Sequence, residues 1–185
     1  MYLKKIAIKD VGPIADLSFD LPFDGDKPKP LVLVGPNGSG KSTFLSFIVN
    51  ALINFKQFIH PNAEVEQGKV FRTRSPRFIR SGADSCHAVV EFEDGLTMTE
   101  DTLNRSWKDF KTDATSKDLV DRWKNVKDNQ TSLFKLDPER DDSTVRKLFG
   151  SNAVLYFPSD RFELPDWLNE RSLSDELRFP RADHL

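Results

Sequence analysis

The sequence has little cysteine, little net charge and no long apolar run, and each of these shortages excludes a class of protein. Cys86 is the only cysteine among 185 residues, so no intrachain disulfide can form, and a reducing cytoplasm is the expected location. The 27 basic residues nearly balance the 29 acidic ones, and the net charge of −2 excludes a protein-wide field that attracts nucleic acid. Because no apolar run approaches the length of a membrane-spanning helix, we expect no membrane partner.

Targeting and metal-binding signals are also missing. Residues 1–6 contain no apolar stretch of the length that a signal peptide requires, so we predict none. The adjacent Cys86 and His87 lack the spacing of metal ligands, and a zinc site is not expected. With 38% hydrophobic and 30% charged residues the chain has the composition of a globular protein, and one domain over residues 1–185 is the simplest organisation.

The most informative feature that is present is a glycine-rich stretch at residues 35–43. It fits the pattern G-x-x-x-x-G-K-[ST], whose glycines let successive backbone N–H groups point inward at an anion. The helix that follows adds the positive end of its dipole. We therefore predict that this loop binds the phosphates of ATP. The predicted nucleotide-binding residues are Gly35, Pro36, Asn37, Gly38, Ser39, Gly40, Lys41, Ser42 and Thr43.

Two side chains of this loop are expected to act on the nucleotide directly. Lys41 should reach the β- and γ-phosphates and is the predicted catalytic residue, while the hydroxyl of Ser42 should bind Mg²⁺. The sequence therefore predicts ATP and Mg²⁺ as cofactors. A glycine-rich turn that binds no nucleotide is the alternative, and the apolar residues before the loop and the helix after it disfavour that interpretation.

The residues on either side of the loop predict its structural context. Leu31–Val34 is a continuous apolar run, typical of a strand buried on both faces of a parallel sheet. After the loop, apolar residues recur at helical spacing, so one face of this helix should pack on the sheet. These residues are Phe44, Phe47, Ile48, Ala51, Leu52 and Phe55. Upstream, residues 2–9 and 14–21 predict two strands joined by a turn at Gly12-Pro13.

Downstream of this helix the pattern changes to strands and short helices. Residues 87–93 alternate apolar and polar side chains and lead into Asp94-Gly95, which predicts a hairpin with the residues that follow. A helical insertion is expected at about residues 100–150, ending in a short helix at Ser143–Phe149. An apolar stripe within it comprises Leu119, Val120, Trp123 and Val126. Val154–Phe157 predicts a buried strand. The tryptophans are expected to anchor packing or a subunit interface, and they are Trp107, Trp123 and Trp167.

A basic run lies between residues 69 and 80 and contains no acidic residue. Its cations are Lys69, Arg72, Arg74, Arg77 and Arg80, with Phe71 and Phe78 between them. Such a run can contact the phosphates of nucleic acid while an aromatic ring stacks on a base. The alternative is a solvated basic loop or an arginine that reaches the nucleotide, and this alternative is favoured because strands routinely expose charge.

The residues that complete ATP hydrolysis are not found in the sequence. Hydrolysis needs an aspartate at the end of an apolar strand to hold Mg²⁺ and a neighbouring glutamate to orient water. No apolar run is followed by Asp-Glu. Asp160, just after Val154–Phe157, is the nearest candidate for a magnesium ligand, but a loop-forming role is favoured for it. A signature of the Leu-Ser-Gly-Gly-Gln type is also missing.

The order of these features resembles the N-terminal lobe of ABC-type ATPases, and in particular their SMC-like and RecF-like branch. The likeness lies in the two strands before the loop, the residues of the loop itself, the helix after it and the β-rich segment that follows. The opening Ile6-x-Ile8-x-x-x-Gly12-Pro13-Ile14 looks like the first hairpin of that branch. Residues 156–170, which begin Tyr-Phe-Pro-Ser-Asp-Arg-Phe-Glu, resemble AAA-type ATPases of bacterial anti-phage systems of the Septu and retron-associated kind.

This resemblance implies an α/β fold of the P-loop NTPase class, with antiparallel hairpins beside a parallel core sheet. It implies that the magnesium aspartate, catalytic glutamate and signature lie in the C-terminal half of a longer ATPase, of which this chain is expected to be the N-terminal segment. Two heads enclose two ATP molecules in that family, which implies a homodimer of heads or a higher oligomer. DNA and a nuclease effector are the further partners implied. Asn37 is then expected to approach the γ-phosphate, whereas no glutamine is assigned as its sensor among Gln57, Gln67 and Gln130.

The predicted function is therefore ATP binding and hydrolysis that gates an activity on DNA or of a nuclease, including anti-phage defence. Two other functions remain open at this point. A regulatory module would bind ATP, hydrolyse it slowly or never, and restrain a partner effector. A small P-loop kinase fits the chain length, although its loop usually follows the first strand closely, whereas here the loop begins at Gly35.

Overall fold

The computed structural model describes residues 2–61, 65–75, 77–92, 95–114, 116–137 and 143–149. In chain order the elements are β1 (Leu3–Val11), β2 (Ile14–Asp20), β3 (Phe23–Asp24), β4 (Lys27–Pro28), α1 (Lys41–Lys56), β5 (Ser85–Phe92), β6 (Thr97–Leu103), α2 (Trp107–Phe110), α3 (Lys117–Trp123), β7 (Ser132–Asp137) and α4 (Ser143–Phe149). No helix in these described ranges is both long enough and apolar enough to cross a membrane. The predictions for Val154–Phe157, Asp160 and Trp167 lie outside the described residues.

Five of the strands form one antiparallel sheet in the order β2-β1-β5-β6-β7. Both predicted hairpins are confirmed. β1 pairs with β2 across the turn at Gly12-Pro13, where Val11 lies opposite Ile14, and β5 pairs with β6, where Val90 lies opposite Met98. Because β1 also pairs with β5, the two hairpins join into a single sheet, and that sheet is the surface on which the helix after the loop can pack.

The sixteen-residue helix α1 covers one face of this sheet. Its apolar residues recur every three or four positions, and they are buried against the inward side chains of the sheet, as predicted. The fully buried members of this core include Ile6, Ile8, Phe47, Ala51, Phe55, Ala88, Val90 and Met98. Phe55 of α1 meets Phe92 of β5 edge to face, with ring centroids 6.3 Å apart. The core therefore fixes the position of α1, and with it the position of the loop at its N-terminus.

A second apolar cluster covers the opposite face of the sheet beside β6. The side chain of Ser116 accepts a hydrogen bond from the N–H of Leu119 and so caps the start of α3, which contains Leu119, Val120 and Trp123 of the predicted apolar stripe. The rings of Trp107 and Trp123 lie with centroids 5.4 Å apart in this cluster, so both anchor packing. Residues 100–150 were expected to be a helical insertion, but their described part contains strand residues of β6 and β7 as well as the short helices α2, α3 and α4.

Asp101 of β6 is the buried polar centre of this side, with 1% of its side chain exposed. It accepts hydrogen bonds from the Nε and Nη2 atoms of Arg122 at 2.9 and 3.1 Å, and its Oδ1 lies 2.6 Å from Nδ1 of His87. Burial by itself would raise the pKa of Asp101, but the hydrogen bonds and charges of His87 and Arg122 outweigh it and hold the pKa below its usual value. The charged carboxylate therefore ties α3 to the sheet.

The prediction of a buried strand at Leu31–Val34 is wrong for the described structure. These residues join no strand among the described residues, and Val32 and Val34 are 78% and 90% exposed. Leu31 and Leu33 do pack against the core. Four consecutive apolar residues predict a strand with both faces buried. The described elements cover only the side on which Leu31 and Leu33 lie. The parallel core sheet is likewise not seen in the described ranges, where every strand pair is antiparallel.

Replacing Asp101 tests whether this buried ion pair stabilises the fold. We expect Asp101→Asn to lower the free energy of unfolding at pH 7 by about 2 kcal/mol, because Arg122 loses its charged partner while remaining largely buried. A carboxyl group with a lowered pKa contributes stability above its ordinary pKa of about 3.9 and loses that contribution as the pH falls through the lowered value. The part of the difference between wild type and variant that is due to the carboxylate should therefore shrink below about pH 4.

Urea unfolding between pH 7 and pH 3 measures this difference, and Asp128→Asn is the matched control. Asp128 forms an exposed ion pair with Lys111 at 2.8 Å, so its replacement should cost less than about 1 kcal/mol. Equal losses for the two variants, or a loss at Asp101 that persists unchanged at pH 3, would contradict the assigned role.

Candidate functional site

The glycine-rich loop leads directly into the first turn of α1. Gly40 is the N-cap residue and has φ 99° and ψ 9°, a left-handed conformation that favours glycine. No side chain of the described residues caps this helix end, and its first turn contains no acidic residue. Within the described part of the chain, the first N–H groups of α1 and the positive end of its dipole are therefore available to an anion, as an anion-binding loop requires.

Lys41 connects the two ends of the loop. Its Nζ atom donates hydrogen bonds to the carbonyl oxygens of Gly35 and Pro36, both at 2.8 Å. A phosphate oxygen is a stronger partner for an ammonium group than a neutral carbonyl, because both partners are then charged. The lysine is thus held beside the loop by bonds that a phosphate can replace.

The other predicted site residues lie in the same short stretch. Asn37 and Ser42 are exposed, the first in the loop and the second in the first turn of α1, whereas Thr43 is half-buried. The structure brings all nine predicted residues together as one loop and one helical turn. The contact of Asn37 with a γ-phosphate and that of Ser42 with Mg²⁺ stay predictions.

Gly40 also makes a close contact that fixes the loop to the first hairpin. A Cβ atom at Gly40 would lie 2.7 Å from Cγ1 of Ile14 and 3.3 Å from Cγ of Pro13. Only glycine lets the loop backbone approach the turn between β1 and β2 this closely. The turn of the first hairpin, Gly12-Pro13-Ile14, therefore packs against the loop and helps to hold it in place.

The same turn is held from its other side by residues 78–80. The N–H of Gly12 donates to the carbonyl oxygen of Phe78 at 2.8 Å, and a Cβ at Gly12 would overlap the Phe78 ring. The N–H of Arg80 donates to the carbonyl oxygen of Asp10 at 2.8 Å, and its guanidinium donates to that of Pro13 at 3.0 Å. Part of the basic run therefore packs on the hairpin that carries the loop.

A polar stripe on α1 binds residues 71–73, which belong to the same basic run. Serines and asparagines recur every fourth residue along one face of the helix, and they are Ser42, Ser46, Asn50 and Asn54. Asn54 pairs with the backbone of Phe71 through two hydrogen bonds of 2.9 Å, as a neighbouring strand would. Oδ1 of Asn50 accepts hydrogen bonds from the N–H and hydroxyl of Thr73 at 2.9 and 3.1 Å.

Two arginines of this run converge on one buried carboxylate. Glu100 is 4% exposed, and its Oε1 accepts a hydrogen bond from Nε of Arg72 at 2.7 Å, while its Oε2 lies 3.7 Å from Nη2 of Arg74. The interpretation of the whole run as a solvated loop is therefore wrong for Arg72 and Arg74. A nucleic-acid surface would have to depend on Lys69 and Arg77, which are exposed.

The single cysteine lies beside this cluster as a neutral thiol. Burial is the main reason that the pKa of Cys86 is raised to about 11; the charge of Arg74 opposes this shift, and that of Glu100 adds to it. Because the thiol stays protonated at neutral pH, Glu100 is the anion that balances the buried Arg74 charge.

A groove of about 660 Å³ lies at the other end of α1. It is lined by Asn54 of α1, by Gln57 at the C-terminal cap of that helix, by residues 67–70 and by Phe134, Lys135 and Leu136 of β7. Gln57 is sixteen positions after Lys41, which corresponds to roughly 24 Å along a helix. Gln57 and Gln67 therefore lie far from the loop, and the groove is not part of the predicted phosphate site.

Comparison with known proteins assigns the chain to a family. A family model described as an AAA domain matches residues 5–179. The chain belongs to the AAA domain family. This membership supports a P-loop ATPase with nucleotide binding and hydrolysis in general, as in SMC-like and RecF-like families, and the matched span includes the loop and nearly all of the described residues. A search of curated proteins found no match.

Sequence reasoning missed most of the residues that support the loop. Glu100 was not singled out, because it lies 28 positions from Arg72 and nothing local links them. Asn50 and Asn54 carry a signal that was available, because two amides four residues apart, each with apolar neighbours in the helix, indicate a buried polar contact.

Replacing Gly40 tests the close contact between the loop and the first hairpin. We expect Gly40→Ala to lower the free energy of unfolding by about 2 to 3 kcal/mol, because the new Cβ is strained at φ 99° and overlaps Ile14. Gly25→Ala is the control, since Gly25 has φ 59° and no atom within 4 Å of a Cβ, and should lose only about 1 kcal/mol. Chemical denaturation measures both, and equal losses would show that the Ile14 contact is absent.

Proposed function

We propose that this AAA domain binds ATP and Mg²⁺ in the loop of residues 35–43. The observation that carries the proposal is the loop geometry: a left-handed glycine at a helix N-terminus that no described side chain caps, next to a lysine whose ammonium group donates to two exposed backbone carbonyls. In this site Lys41 contacts the β- and γ-phosphates, the hydroxyl of Ser42 binds Mg²⁺, and Asn37 approaches the γ-phosphate. Backbone N–H groups of residues 38–43 bind the remaining phosphate oxygens.

The chain acts, in this proposal, as the N-terminal lobe of an ABC/SMC-like ATPase. ATP brings two heads together, each head completes the other's site, and hydrolysis in the cytoplasm separates them. The cycle gates an activity on DNA or of a nuclease, including the anti-phage role implied by the likeness of residues 156–170 to Septu and retron-associated ATPases. Family membership and the Gly-Pro-Ile hairpin beneath Gly40 support this assignment.

A second candidate function requires fewer residues than ATP hydrolysis does. The sequence contains no apolar run followed by Asp-Glu, the pair that holds Mg²⁺ and orients water during hydrolysis. A module that binds ATP without hydrolysing it, and restrains a partner effector in its bound state, needs only the loop. Turnover of ATP by the full-length protein without a co-substrate favours the ATPase and excludes a kinase, whereas tight binding without turnover favours the sensor.

Removing the ammonium group of Lys41 tests the proposed site directly. Lys41→Ala should weaken the binding of MgATP by at least about 100-fold, because the charge-assisted hydrogen bonds to the phosphates are lost. Isothermal titration calorimetry on the full-length protein measures this loss. Lys27→Ala is the matched control, since Lys27 is exposed in the short β4 strand and should leave affinity unchanged. Unaltered MgATP affinity in Lys41→Ala would rule out the loop as the nucleotide site.

A further inference from the structure

Arg74 contacts the helix of the loop and the sheet at the same time. Its Nε atom donates a hydrogen bond to Oγ of Ser46 at 3.2 Å, and its guanidinium lies 3.9 Å from the ring centroid of Phe47. On its other side Nη2 lies 3.7 Å from the buried carboxylate of Glu100 in β6. One side chain thus joins two consecutive residues of α1 to a residue of the sheet.

The contact with Ser46 continues to the first turn of the helix. The hydroxyl of Ser46 donates its proton to the carbonyl oxygen of Thr43 at 2.7 Å, so its lone pairs are free to accept from Arg74. Thr43 directly follows Ser42, whose hydroxyl is the proposed magnesium ligand. A continuous series of polar contacts therefore runs from Glu100 through Arg74 and Ser46 to the carbonyl group of Thr43, the residue after the proposed magnesium ligand.

Arg72 provides an internal comparison. It binds the same carboxylate as Arg74, but its second contact is with β7, whereas Arg74 contacts Ser46 and Phe47 of α1. The Nε atom of Arg72 lies 2.7 Å from Oε1 of Glu100, and its guanidinium lies 5.5 Å from the ring centroid of Phe134 in β7. The two arginines thus share one anion and differ in the second element that each one contacts.

The burial of Arg74 has a free-energy cost, because its guanidinium group is largely removed from water. Burial lowers the pKa of Arg74, an effect that the charge of Glu100 opposes. A buried ion pair contributes little to stability compared with apolar residues of the same volume. Oε2 of Glu100 also has no hydrogen-bond partner within the described residues. The arrangement is therefore poorly explained by stability alone.

We propose that Arg74 is a positioning residue for the magnesium site, an inference that rests on the proposed function of the loop. Arg74 fixes Ser46, and through it the carbonyl of Thr43, so that the first turn of α1 holds the hydroxyl of Ser42 in one place. Mg²⁺ requires near-ideal octahedral geometry with short bonds, so a small displacement of this hydroxyl weakens metal binding more than it weakens phosphate binding.

The test compares ATP affinity with and without Mg²⁺ in the full-length protein. Arg74→Met keeps an apolar side chain over Phe47 but removes the bond to Ser46, and should reduce the enhancement of ATP affinity by Mg²⁺ about tenfold. ATP affinity measured in excess chelator should change less than about threefold. Arg72→Met is the matched control: it removes the partner of Oε1 of Glu100, and it should leave the enhancement by Mg²⁺ as in wild type.

Ser46→Ala provides a second, milder variant that removes a single hydroxyl from a half-buried position. It should lower the enhancement by Mg²⁺ to the same degree as Arg74→Met, and the double variant should lower it no further, because both changes interrupt one series of contacts. This variant also decides the matter if Arg74→Met does not fold.

The outcomes separate the two proposals. Equal enhancement by Mg²⁺ in Arg74→Met and Arg72→Met, with normal MgATP binding by wild type, would overturn the positioning role alone, as would unchanged enhancement in Ser46→Ala. Failure of wild type to bind MgATP would overturn the proposed function and this inference with it.

Discussion

The structure around the loop depends on hydrogen bonds between α1 and the neighbouring chain segment, residues 71–74. Asn50 and Asn54 are buried side chains in the polar stripe of this helix, and they form hydrogen bonds with the backbone of Phe71 and Thr73 in place of a neighbouring strand. Leaving such backbone groups buried without partners costs about 1 to 3 kcal/mol each. With residues 71–74 fixed in this way, residues 78–80 reach the first hairpin, and that hairpin supports Gly40 of the loop.

Adjacent carboxylates on β6 show how one strand serves both faces of the sheet. Side chains alternate along a strand, so Glu100 and Asp101 point in opposite directions. Glu100 binds the arginines that run along α1, whereas Asp101 binds His87 and the arginine of α3. Each anion is buried with its own cations, and the strand therefore links the helix of the loop to the packing on the far side of the sheet.

Local sequence patterns predicted those parts of the fold that depend on local physics. The loop, the turn at Gly12-Pro13, the β5–β6 hairpin and the apolar face of α1 follow from glycine, proline and periodicity within a few residues. The run at Leu31–Val34 was predicted wrongly because burial on two faces depends on neighbours that the run itself does not specify. The basic run was misinterpreted for a related reason, since the anion that neutralises Arg72 and Arg74 lies on a distant strand.

The central claim is that the backbone amides and the lysine of one loop hold the phosphates of ATP. Amide hydrogen exchange of the full-length protein, with and without MgATP, tests this claim residue by residue. The account predicts that MgATP slows exchange most strongly across residues 38–43, with little change in the strands β5 and β6. Exchange in this loop that is the same with and without MgATP, while the nucleotide protects another part of the protein, would contradict it.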